Sequence, residues 1–147
     1  AERSGLVRHV CRMFVTAASI GVPYFTVVLR KGYGLGAQAM AGGGFHASVF
    51  TVAWPTGEFG GMGLEGAVRL GYRKEMEAID DPAAREAYFR EKVDAMYANG
   101  KALSIASVME IDDVIAPAET RRWLVAGLDS ARPDKRAARR RPMIDTW

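Results

Sequence analysis

The 147-residue chain carries 20 Lys and Arg, 17 Asp and Glu and a single cysteine, with 49% apolar and 25% charged residues. That is an ordinary globular balance, large enough for one core and too small for several domains. The lone Cys11 excludes an intrachain disulfide framework and any multi-cysteine metal site, and points to a reducing, cytoplasmic setting. The formal charge of +3 is concentrated in residues 132–147, which hold six basic and two acidic residues. The body without them has a slight acidic excess, so it has no bulk electrostatic reason to seek nucleic acid. No apolar run approaches the roughly 20 residues that span a bilayer, so no membrane role is expected. Ala1-Glu2-Arg3 opens the chain without Met and already in helical pattern, which reads as part of something longer.

Leu6, Val10, Met13, Phe14 and Ala17 lie at helical spacing and predict an amphipathic helix. Gly21 offers it a left-handed cap, and Pro23 prevents its continuation. Residues 24–30, β-branched and aromatic with little alternation, predict a strand buried on both faces. A glycine-rich stretch follows, with Gly32, Gly34 and Gly36 and then Gly42-Gly43-Gly44. Residues 48–54 predict a second buried strand, stopped by Pro55. A second glycine-rich loop (Gly57, Gly60, Gly61, Gly63, Gly66) leads into a helix over 64–77. Asp80-Asp81-Pro82 starts the next helix, with an inner stripe of Phe89, Val93, Met96 and Tyr97, and Asn99-Gly100 ends it. Residues 111–115 predict a short strand. Pro117 opens a last helix through about Ala131, with Leu124 and Leu128 on its apolar face. Residues 1–131 thus form one α/β unit with parallel crossovers, and 132–147 a charged, Pro-punctuated arm.

A buried strand followed by glycines and a helix is a setting in which backbone N–H groups can hold an anion. Two loops qualify, and in each the glycines could equally serve close helix–sheet packing. Gly32-Tyr33-Gly34-Leu35-Gly36-Ala37 formally matches the dinucleotide pattern G-x-G-x-x-A. However, no acidic residue closes the next strand to hold a ribose, and three glycines cut the following helix after about two turns. Side-chain chemistry is sparse. His9 lies on the first helix and His46 in a loop, Cys11 reads as packing, and Asp112-Asp113 marks a strand edge. Glu58 and Glu65 fall in the second glycine loop, where a carboxylate can act as base or cap, with capping the readier role for Glu65. Backbone donors with almost no acid or base suit a reaction that must stabilise a transient oxyanion.

At these residues the chain resembles a known family. GLVRHVCRMFVTAAS (5–19), VPYFTVVLRKGYGLGAQAM (22–40), VAWPTGEFGGMGLEGAV (52–68) and IDDVIAPAETRRWL (111–124) resemble, in order and spacing, the carboxyltransferase β subunit of biotin-dependent acyl-CoA carboxylases, the propionyl-, acetyl- and methylcrotonyl-CoA group. The resemblance runs from about residue 2 to 131. It implies a crotonase-like (ClpP/crotonase) fold of stacked ββα units, present here as the later part of the biotin-side C-domain. It also implies carboxyl transfer from carboxybiotin to an acyl-CoA, with biotin carried on a partner and coenzyme A as part of the substrate.

Implied partners are a carboxyltransferase N-domain of the same or a neighbouring subunit, a biotin carboxyl carrier or biotin carboxylase subunit, and further copies in a hexameric homo-oligomer. No metal is implied. By position, the two N–H groups that hold the biotin ureido oxygen in the family fall on Leu35 and Gly36, and Tyr33, Gly34 and Ala37 complete the biotin-binding stretch. The family's Gly-Gly-Ala-Tyr stands here as Gly34-Leu35-Gly36-Ala37. Backbone donors survive such a change, whereas leucine at the second position resists a left-handed conformation. Two other functions remain open: an assembly fragment without activity of its own, and a crotonase-type hydratase or isomerase using Glu58 or Glu65.

Overall fold

The computed structural model describes residues 2–131, so the basic arm expected over 132–147 lies outside the described residues. A single 3-10 turn leads into α1 (Leu6–Ser19), followed by β1 (Phe25–Val28), β2 (Lys31–Tyr33) and α2 (Gly34–Met40). The pattern then repeats as β3 (Phe50–Ala53), β4 (Glu58–Gly60) and α3 (Leu64–Gly71). Beyond it come α4 (Arg73–Glu77), α5 (Pro82–Asn99), α6 (Ala102–Ser107), β5 (Asp113–Val114) and α7 (Thr120–Ser130). Two successive strand–strand–helix units therefore stand side by side.

Equivalent strands of the two units pair in parallel. β3 lies between β1 and β5, with Phe25 opposite Phe50, Val28 opposite Ala53 and Ala53 opposite Val114. A separate two-stranded sheet pairs β2 with β4, with Lys31 opposite Glu58 and Tyr33 opposite Gly60. As the run of β-branched and aromatic residues predicts, every residue of β3 is buried. One face of the larger sheet packs Phe50, Val52 and Ile115 against Trp123 and Leu124. The Phe25, Phe50 and Trp123 rings contact in series, tilted at 4.9 Å and then edge to face at 5.4 Å. Helix α7 comes this close because Gly127 has no side chain; a Cβ there would lie 2.6 Å from the Phe50 ring. The second cluster joins Val28, Ala53, Phe59, Ala102 and Ile111, tying the larger sheet to β4 and α6.

Several boundaries differ from the sequence expectation, each for a local reason. The first strand stops at Val28 rather than 30, because Leu29-Arg30 carries the chain into β2. The single helix expected over 64–77 breaks at Tyr72, just after the weak helix former Gly71. The Tyr72 ring is held edge-on to Tyr88 at 6.2 Å. Helix α1 ends at Ile20 in extended geometry, and Gly21 is not left-handed. Pro117 begins a 3-10 turn ahead of α7 rather than the helix itself, and Leu128 is 58% exposed rather than facing the sheet. Tyr97 is likewise exposed, off the half-buried stripe of Phe89, Val93 and Met96. Asp81 does begin α5, accepting the Ala83 and Ala84 N–H groups at 3.2 and 3.1 Å.

Candidate functional site

The site is built where the smaller sheet hands over to α2. Tyr33, last residue of β2, is the N-cap of α2 in extended geometry, and no side chain caps that helix. Gly34 then takes φ +60, which only glycine adopts readily. A Cβ on Gly34 would lie 2.9 Å from the Gly61 carbonyl oxygen, so the turn presses against the loop after β4. The left-handed position that leucine would have resisted is thus occupied by Gly34, and Leu35 keeps an ordinary negative φ. The Leu35 and Gly36 N–H groups sit in the first turn of α2, where no intrahelical carbonyl is available to them.

Space exists beside the turn. A cleft of about 280 Å³ is lined by Gly32, Gly34, Leu35, Gln38, Phe45, Phe59, Gly60, Gly61, Ile105 and Glu110. Phe45 and Phe59, packed edge to face at 5.2 Å, make its apolar wall. A Cβ on Gly36 would meet nothing within 4 Å, so Gly36 stands in open space. The Leu35 side chain is 69% exposed and leaves its own amide unobstructed by burial. Unpaired main-chain donors beside an apolar wall can receive a small, partly apolar group with a carbonyl-type oxygen. The chemistry of the donor set therefore fits a ureido ring.

Tyr33 closes the other side of the turn. Its hydroxyl donates to Glu58 Oε2 at 2.8 Å, across the β2–β4 pair. Burial, and after it the hydrogen bond and charge of Glu58, push the Tyr33 hydroxyl up to about 12, so it remains a donor at any working pH. Glu58 is therefore a strand residue engaged by Tyr33, not the free loop carboxylate that the sequence pattern implied. Glu65 falls in the first turn of α3, as expected for a residue favouring a helix start.

The remaining sequence candidates disperse. His9 and Cys11 are exposed on α1, so Cys11 does not pack into the core as expected. Asp112 secures the sheet edge, its Oδ2 accepting the Thr51 N–H at 2.7 Å. His46 reaches the rim of the cleft, with Nε2 3.8 Å from Glu110 Oε2 and both side chains exposed. Sequence reasoning missed Glu110, Gln38 and the Phe45–Phe59 wall. No local motif marks them, because α6 and the 42–49 turn bring them together only in the folded chain. Among the described residues, no group of three or more His, Cys, Asp or Glu could hold a metal ion.

Paired ββα units, with solved carboxyltransferases as structural neighbours, place the chain in the crotonase-like class. The carboxyl transferase domain family matches residues 1–144, and the chain belongs to that family. The carboxyltransferase subunit of propionyl-CoA carboxylase from Haloferax mediterranei is 38% identical over 141 residues, which cover 92% of this chain and 27% of that protein. The methylmalonyl-CoA carboxyltransferase 12S subunit of Propionibacterium freudenreichii subsp. shermanii is 38% identical over 129 residues, covering 87% and 24%. Among solved structures, a single-chain, multi-domain long-chain acyl-CoA carboxylase is similar at 56% identity and TM-score 0.73, over 86% of this chain and 12% of that one. The hexameric transcarboxylase 12S is similar at 35% identity and TM-score 0.76, over 91% and 26%. The chain spans about a quarter of the length of the curated relatives it matches.

Proposed function

We propose that this chain forms the biotin-side half of a carboxyltransferase site, moving a carboxyl group from carboxybiotin to an acyl-CoA. Residues 1–131 are then the later part of a C-domain, and the acyl-CoA is held mainly by an N-domain of the same or a neighbouring subunit. One observation carries this reading: two adjacent main-chain donors, at Leu35 and Gly36, lack helical acceptors, and Leu35 lines an apolar-walled cleft. When bound, biotin supplies the carboxyl group to be transferred, and it arrives on a carrier protein or domain. The Leu35 and Gly36 N–H groups hold its ureido oxygen and stabilise negative charge as it develops there. One such preorganised donor is worth about 3 kcal/mol of barrier. Gly34 sets the turn that aims the amides, while Tyr33 and Ala37 flank them.

The relatives include propionyl-CoA, methylmalonyl-CoA and long-chain acyl-CoA enzymes, so an acyl-CoA acceptor is part of the proposal. A homo-oligomer follows the same reading, in line with the hexamer named for transcarboxylase 12S. A cytoplasmic location accompanies it; no described helix is long and apolar enough to cross a membrane. The test is reconstitution with a purified carboxyltransferase N-domain and a biotinylated carrier, following carboxyl transfer to propionyl-CoA. The reading expects turnover that Gly36→Pro reduces by about 10²-fold or more. Turnover unaffected by that substitution would contradict it.

A second reading, an assembly piece without activity of its own, is favoured by the apolar stripe of α1. Leu6, Val7 and Met13 there are exposed, and α1 buries no residue. Absence of turnover in the reconstitution, with stable association of the components, is the outcome it expects.

A further inference from the structure

We propose that Glu58 is a positioning residue: by holding the Tyr33 hydroxyl it fixes the Leu35 and Gly36 amides beside the cleft. The inference rests on the biotin-side reading for its use, but the geometry stands without a ligand. Tyr33 is at once the end of β2 and the N-cap of α2, so its orientation sets where the next two amides point. No side-chain hydrogen bond caps α2 to hold that turn from the helix side. The smaller sheet offers little rigidity of its own, since β2 and β4 have three residues each and two-stranded ribbons are marginal.

The acceptor, by contrast, is anchored. The Glu58 N–H donates to the Arg30 carbonyl at 2.7 Å, and Glu58 forms an antiparallel bridge with Lys101. Its neighbour Phe59 donates to the Gly100 carbonyl at 2.7 Å, at the end of α5. The strand around Glu58 is thus fastened to two segments, at Arg30 and at Gly100-Lys101, and from it the side-chain bond at 2.8 Å reaches back to Tyr33. The Tyr33 ring lies over Gly60, where a Cβ would stand 3.4 Å from Tyr33 Cδ1. Immediately after Tyr33, Gly34 meets the Gly61 carbonyl. The turn is clamped between β4 and the loop that follows it.

The role requires only an oxygen acceptor at position 58. That separates it from a catalytic base, which requires the carboxylate itself. The test uses ¹⁵N–¹H spectra of the 147-residue chain, first without ligand and then with d-biotin. Without ligand, Tyr33→Phe and Glu58→Ala displace the Leu35 and Gly36 signals. Glu58→Gln, whose amide oxygen still accepts, restores them to the parent positions. Ala83 and Ala84, bonded to Asp81 at the start of α5, stay in place and report an intact fold. With d-biotin, the Kd of Tyr33→Phe and Glu58→Ala rises about tenfold, as for loss of one hydrogen bond to a charged group, while Glu58→Gln stays near the parent value. Leu35 and Gly36 signals that stay put in Tyr33→Phe, or a Glu58→Gln chain that behaves like Glu58→Ala, would overturn the inference. If d-biotin leaves the parent's two amides unmoved, the biotin reading fails, and the ligand-free comparison still decides whether Glu58 positions them.

Discussion

The two glycine-rich loops occupy equivalent places in the two ββα units, yet their glycines do different work. After β2, Gly34 is left-handed and lines the cleft, and Gly36 has open space where a side chain would stand. After β3 and at the end of β4, Gly57 and Gly60 have no positive φ and are closely packed. A Cβ on Gly57 would lie 3.2 Å from Ala102 Cβ, and one on Gly60 3.2 Å from Leu64 Cδ2. Gly34 in the first loop shapes the turn that displays main-chain donors, whereas Gly57 and Gly60 in the second let α6 and α3 close on the small sheet; Gly61, Gly63 and Gly66 stand in open space. Because sequence alone offers both uses for either loop, only the packing around each assigns them.

Substitutions can break that contrast. The largest effect is expected at Gly36→Pro: a first-turn proline is tolerated by a helix but removes a donor, so carboxyl transfer should fall about 10²-fold with the melting temperature nearly unchanged. A large loss of stability there would place Gly36 in the packing class instead. Gly100→Ala should do the opposite. Its Cβ would collide with the Phe59 carbonyl, and overpacking of this kind costs about 1–3 kcal/mol in denaturant unfolding. Gly57→Ala, with contacts near 3.2 Å rather than a collision, should fall at the lower end, about 1 kcal/mol, and leave d-biotin binding intact.

The smallest effect concerns pH. The Tyr33 hydroxyl is raised from its ordinary 10.0 to about 12 in the folded chain. Its contribution is therefore fully present below pH 10 and is lost as pH rises through 12. Tyr33→Phe should flatten the alkaline fall in stability over that window, as followed by circular dichroism. An unchanged slope would mean that the Tyr33–Glu58 bond is not made in solution.

Long, strongly patterned elements were legible in the sequence. The α1 stripe, the buried strand at β3 and the Asp81-Pro82 start of α5 all carry local signals, and each element is present. β2, β4 and α6 carry none. They are three to six residues long, too short for a period to register, and are defined by partners far along the chain. The same applies within the site. The motif around Tyr33 pointed to the turn, but the Tyr33–Glu58 bond depends on the parallel register that sets Lys31 opposite Glu58. Gly100 was readable as a helix terminator, although with φ −86 it is glycine for the room that Phe59 needs rather than for a left-handed cap.

The central claim is that main-chain donors at two adjacent positions receive the ureido oxygen. A crystal structure of the chain soaked with d-biotin tests it most directly. The account predicts that oxygen about 2.7–3.1 Å from both the Leu35 and Gly36 nitrogens, with the ring against Phe45 and Phe59. A ring bound elsewhere, or in the cleft with its oxygen turned away from both nitrogens, would contradict it.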